Sequence, residues 1–170
     1  LLCHPTVGRE LATSDTESDA PPGTPRRLLD ELDPGIDGHL HPRDLSEGQR
    51  LALALAIQLT SRPGLVLLDE PTRGLDYTAK AALSQSLQAV AGSGLAVMVA
   101  THDVEFAAMC ATRAIVMAAG EIVADGPATE ILAGSPAYAP QVAKVTAGVG
   151  VDSSWLTLDD VRSCLGEMAP

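Results

Sequence analysis

The chain has 170 residues, of which 46% are hydrophobic and 2% are aromatic, a composition that excludes a largely disordered chain and indicates a core of Leu, Val, Ala and Ile. The formal net charge of −11 disfavours a general surface for nucleic acid or anionic membrane, although it is compatible with a local nucleotide site. No apolar stretch approaches the ~20 residues of a transmembrane helix, and three scattered cysteines indicate reduced thiols rather than a disulfide framework.

The first part of the chain is predicted to be mainly helical. A short helix is expected from Thr6 to Leu11, with Thr6 as its N-cap. Residues 13 to 25 are predicted to form a polar, flexible loop because they lack apolar anchors. A second helix is predicted from Arg26 to Leu32, since its leucines fall on one face, and Asp33-Pro34-Gly35 ends it.

Residues 37 to 44 are predicted to form a connector. His39, His41 and Asp44 have side chains that can ligate a metal ion, so a metal site is an alternative reading of this segment. A solvated polar connector explains the same residues without a ligand.

A capped helix is predicted to begin at Ser46. Ser46 followed three residues later by Gln49 is the capping-box pattern, and the Leu- and Ala-rich run after it is typical of a helix that ends at Arg62-Pro63-Gly64. The free backbone N–H groups of the first turn, the Ser46 hydroxyl and the small Gly48 are suited to an anion. An ordinary capped helix has the same pattern, so this segment alone leaves both readings open.

A buried strand is predicted from Leu65 to Leu68, and two adjacent carboxylates, Asp69 and Glu70, follow it directly. The uninterrupted apolar run is typical of a parallel strand that is covered on both faces. The carboxyl ends of such strands border the crevice in which open α/β sheets bind ligands. One carboxylate there can hold Mg²⁺, and the next can orient and deprotonate a water molecule for attack on phosphorus.

A second strand is predicted after one intervening helix. The helix runs from Tyr77 to Ala91 and ends at Gly92-Ser93-Gly94, and the strand runs from Leu95 to Ala100. Strand, helix and strand in this order predict a βαβ unit with parallel strands. His102 follows the second strand, so it is expected at the same edge of the sheet as the two carboxylates.

Short elements are predicted in the next part of the chain. A helix from Asp103 to Ala111 is followed by a hairpin with strands at Ala114 to Met117 and Glu121 to Ala124. Asp125-Gly126 is expected to turn the chain out of the hairpin. Another helix is predicted from Pro127 to Leu132, with the proline in its first turn.

The last part of the chain is predicted to be an extension of the fold. Residues 135 to 151 are rich in Ser, Pro, Ala and Gly, which indicates a loose linker with at most a short helix from Pro140 to Val145. The segment Thr157 to Asp160 resembles a capping box and predicts a final helix through Glu167. Trp155, the only tryptophan, is expected to anchor this extension to the core.

Four segments of the chain, in this order, resemble the motifs of the ATP-binding subunit of ABC transporters. LSEGQ at 45–49 resembles the signature motif, with Glu47 at the position of its second glycine, and LVLLDE at 65–70 resembles the Walker B strand. Pro71 to Asp76 resembles the D-loop, and Ala100 to Asp103 resembles the switch-histidine segment. The resemblance implies an α/β fold, namely a partial P-loop NTPase (ABC ATPase) core with parallel strands, an α-helical signature subdomain and a C-terminal extension.

The resemblance also implies a role for each matching residue, because in this family two subunits close head to tail over two ATP molecules. Asp69 would bind Mg²⁺, and Glu70 would be the general base for ATP hydrolysis. His102 would contact the γ-phosphate and help to hold the attacking water, and Asp76 would lie at the dimer seam. The residues that would contact ATP held by the opposite subunit are Ser46, Glu47, Gly48 and Gln49.

One motif of the family has no match in this sequence. The phosphate-binding loop G-x-x-x-x-G-K-S/T, known as Walker A, ends with a lysine, but the only lysines, Lys80 and Lys144, each follow an alanine. The chain is therefore expected to be the second half of the family's domain and to be inactive alone. A naturally split or degenerate subunit is the alternative.

The resemblance covers residues 1 to 134 and divides the chain into three expected parts. These are a helical signature subdomain at 1–62, the second half of the ATPase core at 63–134, and a linker with a helical extension at 135–170. Without its usual neighbours, the Walker B strand is expected to expose apolar surface and a free edge, which would favour self-association.

The implied function is an ATPase that drives uptake across a membrane. TRGLDYTAK and THDVEFAA resemble energy-coupling-factor ATPases, which serve the uptake of vitamins or of cobalt and nickel ions. The resemblance implies ATP and Mg²⁺ as cofactors, a second ATP-binding subunit or half and integral membrane subunits as partners, and a peripheral place on the cytoplasmic face of the plasma membrane. No nucleic-acid partner is expected.

Three other functions fit parts of the sequence. A non-transport ABC ATPase acting on DNA or the ribosome would share the motifs. Long coiled coils or basic inserts would support that alternative, and the sequence has neither. A catalytically silent ATP-binding or regulatory module does not explain why both Glu70 and His102 are present. A metal-dependent phosphohydrolase that uses Asp69 and Glu70 leaves the signature-like helix unexplained.

Overall fold

A computed structural model describes residues 2–135, 137–147 and 155–167. The chain folds as two compact units, Leu1–Ala100 and Thr101–Pro170. Within the described ranges, no helix combines the length and the apolar character needed to cross a bilayer. The three cysteines are free thiols, as the sequence predicts.

The first unit begins with three helices. These are α1 (Val7–Glu17), α2 (Thr24–Leu32) and α3 (Glu47–Thr60), with a short 3₁₀ helix (Pro42–Asp44) before the third. Thr6 is the N-cap of α1, as predicted. The prediction of a loop from residue 13 was wrong for the first part of that segment, because α1 continues to Glu17 and the Asp15 carboxylate accepts the Gly23 N–H at 2.7 Å. Asp15 thereby closes the turn into α2.

The three helices enclose the core of the first unit. Val7 and Leu11 of α1 meet Leu29 of α2, and the small Ala52 and Ala56 of α3 allow close packing. The other buried members of this cluster are Ile36, Leu45 and Leu53. The alternation of large and small residues in α3 therefore allows close helix packing, and the predicted helix is confirmed.

A parallel two-stranded sheet follows the helices. Strand β1 (Leu65–Asp69), helix α4 (Tyr77–Gly92) and strand β2 (Ala96–Ala100) form the predicted βαβ unit. The strands pair in register from Leu65 opposite Ala96 to Asp69 opposite Ala100. The carboxyl ends of the two strands therefore lie side by side.

The prediction that β1 is covered on both faces was wrong. Val66 is buried, whereas its neighbours Leu65 and Leu67 on the other face are 48% and 66% exposed. In β2, Met98 pairs with Leu67 and is 54% exposed. The expected apolar surface is thus present as one face of the sheet, because strand residues alternate between faces and the described part of the chain covers only one of them.

The second unit begins with a helix, a hairpin and another helix. These are α5 (Val104–Cys110), strands β3 (Arg113–Ala118) and β4 (Glu121–Pro127), and α6 (Ala128–Ala133). The hairpin is antiparallel, as predicted, and Ala119 and Gly120 both have positive φ in its two-residue turn. The predicted turn at Asp125-Gly126 was wrong. The ladder continues to Arg113 opposite Pro127, and Arg113 holds Asp125 in an ion pair at 2.7 Å.

The extension contains α7 (Gln141–Thr146) and α8 (Leu158–Glu167), both close to the predicted helices. Thr157 Oγ1 accepts the Asp160 N–H at 3.3 Å and Asp160 accepts the Thr157 N–H at 2.7 Å, so the capping box is confirmed. The predicted anchor was wrong by one residue, because Leu156 is the buried side chain and Trp155 is only half-buried. Within the predicted linker, residue 136 and residues 148–151 lie outside the described residues.

Candidate functional site

Two adjacent carboxylates occupy the end of β1. Asp69 is the last residue of the strand and is exposed, and Glu70 is half-buried. The Glu70 N–H donates to the Ala100 carbonyl oxygen at 2.8 Å, which extends the strand pairing by one bond. Because this bond fixes the backbone at the end of the sheet, both carboxylates have defined starting positions.

The backbone of Glu70 adopts a conformation that is unfavourable for a residue with a side chain. Its φ is +47°, in the left-handed region, which costs roughly 1–2 kcal/mol for an L-residue other than glycine. Such strained positions are concentrated at functional sites, where the surrounding structure maintains them. The strained residue here is the one that the sequence predicts as the general base.

A tight loop connects β1 to α4. The Arg73 N–H donates to the Glu70 carbonyl oxygen at 3.2 Å, and the Leu75 N–H donates to the Thr72 carbonyl oxygen at 3.1 Å. The loop ends at Asp76, whose carboxylate accepts the Ala79 N–H at 2.8 Å and caps α4. The side chain predicted for the dimer seam is therefore oriented by its role as a helix cap.

The start of α3 is a complete capping box. The Gln49 N–H donates to the Ser46 hydroxyl oxygen at 3.2 Å, and the Ser46 N–H donates to the Gln49 side-chain oxygen at 3.1 Å. α3 has 14 residues, and both capping side chains are accounted for by the box itself. The predicted helix start is confirmed, and its contact with a nucleotide stays a prediction.

Glu47 and Gly48 bring the start of α3 against the loop after β1. A Cβ atom at Gly74 would lie 3.3 Å from Glu47 Cγ, and Gly74 has a φ of +79°. A Cβ atom at Gly48 would lie 3.8 Å from both Leu75 and Ala79. The signature-like and D-loop-like segments therefore form one continuous surface within the first unit.

Arg50, near the start of α3, was not predicted as a site residue from the sequence. Its guanidinium pairs with the Glu47 carboxylate at 3.2 Å and donates to the Leu45 carbonyl oxygen at 3.0 Å. The spacing of three residues between Glu47 and Arg50 is a helix-surface pair that could have been read from the sequence. This pair fixes the direction of the Glu47 side chain.

His102 belongs to the second unit, where it lies exposed just before α5. The Asp103 N–H donates to Thr101 Oγ1 at 3.1 Å, and Asp103 accepts the Phe106 N–H at 3.1 Å as the N-cap of α5. Phe106 is 1% exposed, so this helix start is well anchored. The expected approach of His102 to the carboxylates of the first unit stays a prediction.

The donor set at the strand end suits a magnesium ion that is bound together with phosphates. Among the described residues, no group of three or more His, Cys, Asp or Glu side chains could hold a metal ion by itself. Mg²⁺ is usually held by one or two carboxylates plus substrate phosphates and water. The single exposed carboxylate of Asp69 fits that mode.

The alternative metal site at His39, His41 and Asp44 gains no support. His41 Nδ1 accepts the Arg43 N–H at 3.0 Å and caps the 3₁₀ helix, and the His39 N–H donates to Asp37 at 2.9 Å. These are the contacts of a polar connector.

Two cavities lie in the first unit. The smaller, about 280 Å³, borders the start of α3 and the loop before α4, with Gly48, Gln49 and Leu75 in its wall. The larger, about 500 Å³, is lined by Gly64 and Leu95, which precede the two strands and so lie at the opposite end of the sheet from Asp69. Of these two cavities in the described part of the first unit, the smaller adjoins residues of the candidate site.

Partial burial makes Cys110 a poor nucleophile, because desolvation raises the pKa of its thiol from the ordinary 9.0 to about 11 and the thiolate is the reacting form. Arg113 lowers the pKa of Asp125 mainly by hydrogen bonding to its carboxylate. Both shifts lie in the second unit, on α5 and in the hairpin, and they have structural causes. They give no second candidate for a reacting group.

The α/β fold, with its parallel βαβ unit, is that of a partial P-loop NTPase core. Residues 7–108 match the family described as "AAA domain, putative AbiEii toxin, Type IV TA system". The chain belongs to this AAA-domain family. The expected fold class, a mixed α/β core with parallel strands, is confirmed.

Two curated proteins from Streptomyces are similar to nearly the whole chain. A "Putative ABC transporter ATP-binding protein" of Streptomyces coelicolor is 56% identical over 165 residues, which are 97% of this chain and 29% of that protein. A protein of the same description from Streptomyces avermitilis is 54% identical over the same shares. The chain thus spans about 29% of the length of these relatives.

Two solved structures share the fold. One is described as an inward-facing conformation of a "putative metal-chelate type ABC transporter" and has a TM-score of 0.64 at 23% identity. The matched region is 78% of this chain and 57% of the chain in that structure. The other, an ATP-binding cassette of an ABC transporter, has a TM-score of 0.63 at 17% identity, with 74% and 56% covered. At these identities the likeness establishes the fold alone.

Proposed function

We propose that this chain is part of an ATP-binding domain that hydrolyses ATP for an ABC transporter. The observation that carries the proposal is the continuous surface formed by the start of α3 and the loop from Glu70 to Asp76. A subunit that contacts the nucleotide of a partner needs both segments on one surface. The names of the Streptomyces relatives support the same class of activity.

In the proposed reaction, the residues at the end of β1 act on the γ-phosphate. Asp69 holds Mg²⁺, which neutralises phosphate charge when bound. Glu70 accepts a proton from water while the water oxygen bonds to the γ-phosphorus and the bond to the ADP oxygen breaks. His102 contacts the γ-phosphate and orients the same water. The products are ADP and phosphate.

In the proposed dimer, the start of α3 acts on ATP that the opposite subunit holds. Free N–H groups at a helix N-terminus and its positive dipole end favour phosphate oxygens. Asp76 lies at the seam between the subunits. The proposed contact residues in trans are Ser46, Glu47, Gly48 and Gln49.

The proposed activity requires a phosphate-binding lysine from outside these residues. Neither Lys80 nor Lys144 stands in a G-x-x-x-x-G-K-S/T context. Since the chain spans about 29% of its curated relatives, the rest of such a protein has room for this loop. We expect no ATP turnover by residues 1–170 alone.

The proposal also includes a role in transport. The similarity of TRGLDYTAK and THDVEFAA to energy-coupling-factor ATPases supports uptake of a small nutrient, with integral membrane subunits as partners and a peripheral position on the cytoplasmic face. The three-part division at 1–62, 63–134 and 135–170 is proposed with it.

A chimera tests the proposed function. The 165-residue segment of the Streptomyces coelicolor relative that matches this chain is replaced by the residues of this chain, and ATP hydrolysis and nucleotide binding are measured. Glu70→Gln is expected to lower turnover by roughly 10²-fold or more while ATP binding remains, because a general base acts on the transition state. Glu121→Gln, at an exposed hairpin position, is the matched control.

Either of two results would overturn the proposal. Unchanged turnover in the Glu70→Gln chimera would remove Glu70 as the base. Turnover by the 170-residue chain alone at the rate of the chimera would show that the Walker A lysine is not needed.

A further inference from the structure

The larger cavity of the first unit lies where three helices end. Leu32 is the last residue of α2, Leu59 belongs to the last turn of α3, and Val90 belongs to the last turn of α4. Gly64 and Leu95, just before β1 and β2, complete the wall. At about 500 Å³, the cavity falls within the range of roughly 300–1,000 Å³ that is typical of small-molecule sites.

The wall of this cavity is mainly apolar. Its large apolar side chains are all half-buried, namely Leu28, Leu32, Leu59, Val90 and Leu95. Leu28 and Leu32 also pack against the buried cluster that forms the core of the first unit. An apolar ligand would therefore remove the remaining exposed surface of these side chains from water, against a wall that the core already supports.

Three polar side chains of the wall have partners within the first unit. Ser86 and Ser93 donate their hydroxyl hydrogens to carbonyl oxygens of α4 at 3.0 and 2.6 Å. Glu31 pairs with Arg27 at 3.7 Å. Arg62 is the fourth polar residue of the wall and is exposed, and its side chain forms no hydrogen bond or ion pair within the described part of the chain.

The backbone of Arg62 has a conformation that favours glycine. Its φ is +51°, and its N–H donates to the Leu59 carbonyl oxygen at 3.0 Å just beyond the end of α3. Helices often end with glycine in this left-handed conformation, because a Cβ atom is strained there. The turn after α3 thus fixes the starting point of an unpaired guanidinium group at the cavity wall.

We propose that this cavity binds an amphipathic carboxylate of the size of a medium-chain fatty acid. Its alkyl chain packs against the half-buried leucines, and its carboxylate accepts hydrogen bonds from the Arg62 guanidinium. A guanidinium matches a carboxylate in shape and charge, and the pair can form two parallel bonds. Because the cavity lies at the opposite end of the sheet from Asp69, the inference does not depend on ATP hydrolysis.

Negative groups at the wall make an apolar amine the competing ligand. A helix carboxyl end carries about half a negative charge, but carbonyl oxygens in the last turns of α3 and α4 already accept the N–H groups of Arg62, Ser93 and Gly94. Glu31 is likewise paired with Arg27. Arg62 is therefore the full charge at the wall that is left without a partner, and it favours a carboxylate.

Titration of the full chain with octanoate tests the site. In protein with ¹³C-labelled leucine methyl groups, octanoate is expected to shift the signals of Leu59 and Leu95 saturably. The signal of Leu132, in the second unit, is expected to stay in place. The compounds 1-octanol and octylamine present the same alkyl chain with a neutral and a positive head group. Octanoate is expected to bind more tightly than either.

Variants of Arg62 isolate the charge. Arg62→Gly removes the guanidinium and relieves the positive φ. It is expected to raise the Kd of octanoate about tenfold or more and to leave that of 1-octanol within about twofold, since only the carboxylate bonds to the guanidinium. Arg62→Gln removes the charge and decides by the same ratio should Arg62→Gly fail to fold. Arg162→Ala, at an exposed position of α8, is the matched control for net charge.

Each of the other results would overturn the inference. If 1-octanol or octylamine binds as tightly as octanoate, Arg62 does not select the ligand. An equal loss of 1-octanol binding in the Arg62 variants, or an equal loss of octanoate binding in Arg162→Ala, would show a structural or general charge effect. Unmoved Leu59 and Leu95 signals would show that the cavity does not take this class of ligand. None of these results depends on turnover by the chimera, so the inference and the proposed function fail separately.

Discussion

The backbone N–H of Glu70 donates to the carbonyl oxygen of Ala100 at 2.8 Å, one residue beyond the last paired residue of β1. Glu70 makes this bond with a φ of +47°. The chain thus continues the ladder for one bond and turns away in the same residue. A carboxylate side chain stands at the turn, where glycine would be the less strained choice.

We predict that Glu70→Gly is more stable than Glu70→Ala by about 1 kcal/mol, the reverse of their order within a helix. Both variants lose the carboxylate, so their difference reports the cost of a Cβ atom at positive φ. Urea denaturation of the two variants measures it. Equal stabilities, or a more stable alanine variant, would show that residue 70 does not hold the left-handed conformation.

The contact between Glu47 and Gly74 gives a second prediction. Gly74→Ala is expected to cost about 1–2 kcal/mol of unfolding free energy, because the backbone φ is +79° and the new Cβ atom meets Glu47 Cγ at 3.3 Å. The cost is expected to be smaller in a Glu47→Ala background. A double-mutant cycle of thermal unfolding measures the difference.

Gly92→Ala is the matched control for that cycle. Gly92 is the last residue of α4, and nothing lies within 4 Å of the Cβ atom that alanine would add. Alanine there is expected to stabilise by up to about 0.5–1 kcal/mol, since glycine is a poor helix former. A cycle in which Gly74→Ala costs the same with and without Glu47 would refute the contact.

The exposed apolar face of the parallel sheet predicts self-association of the isolated chain. Leu67 and Met98 are cross-strand partners at its centre, and both are more than half exposed. Replacing both with threonine is expected to reduce the apparent mass in light scattering. Threonine keeps the β-propensity of the two positions, while the exposed face loses apolar area. A wild-type chain that is already a monodisperse monomer would contradict the prediction.

Val66→Thr is the control on the other face of β1. Val66 is 8% exposed, so the same kind of change there buries a hydroxyl group. It is expected to lower the stability of the fold without reducing the association seen by light scattering.

The half-buried thiol of Cys110 predicts a dependence of stability on alkaline pH. Burial raises its pKa in the folded chain from 9.0 to about 11, so the folded state disfavours the thiolate. The resulting stabilisation is complete below the unfolded pKa and is lost as the pH rises from ~9 through ~11. The stability difference between wild type and Cys110→Ala is therefore expected to shrink over that interval.

Alkylation rates test the same burial independently. At about pH 8, iodoacetamide is expected to modify the exposed Cys3 well before Cys110, because the thiolate is the reacting species. Denaturant is expected to remove the difference. Similar rates in the folded protein would contradict the raised pKa.

Local signals in the sequence predicted most of the elements. Capping boxes at Ser46 and Thr157 marked two helix starts correctly, since each depends on residues only three positions apart. The continuation of α1 past residue 13 depends on Asp15 reaching Gly23, and the continuation of β4 depends on Asp125 pairing with Arg113 across the hairpin. Contacts between separate elements determine how far α1 and β4 extend. Predictions made from the polarity of these segments alone were therefore wrong.

The candidate site was predictable as a set of motifs but not as geometry. The sequence indicated that Asp69 and Glu70 end a strand, because an apolar run before two acids is a local pattern. The positive φ of Glu70, the contact of Glu47 with Gly74 and the bond from Gln141 to Glu105 all arise from the tertiary fold. No spacing along the chain encodes them.

The hydroxyl of Ser46 accepts the Gln49 N–H through one lone pair, so its own hydrogen can still be donated elsewhere. A phosphate that arrives at α3 would meet a hydroxyl whose oxygen is already fixed by the helix cap, and binding would not break that cap. The rotamer entropy of this serine is spent during folding, before any ligand arrives. The phosphate recognition proposed for this position would therefore begin from a preorganised donor and would incur little reorganisation cost.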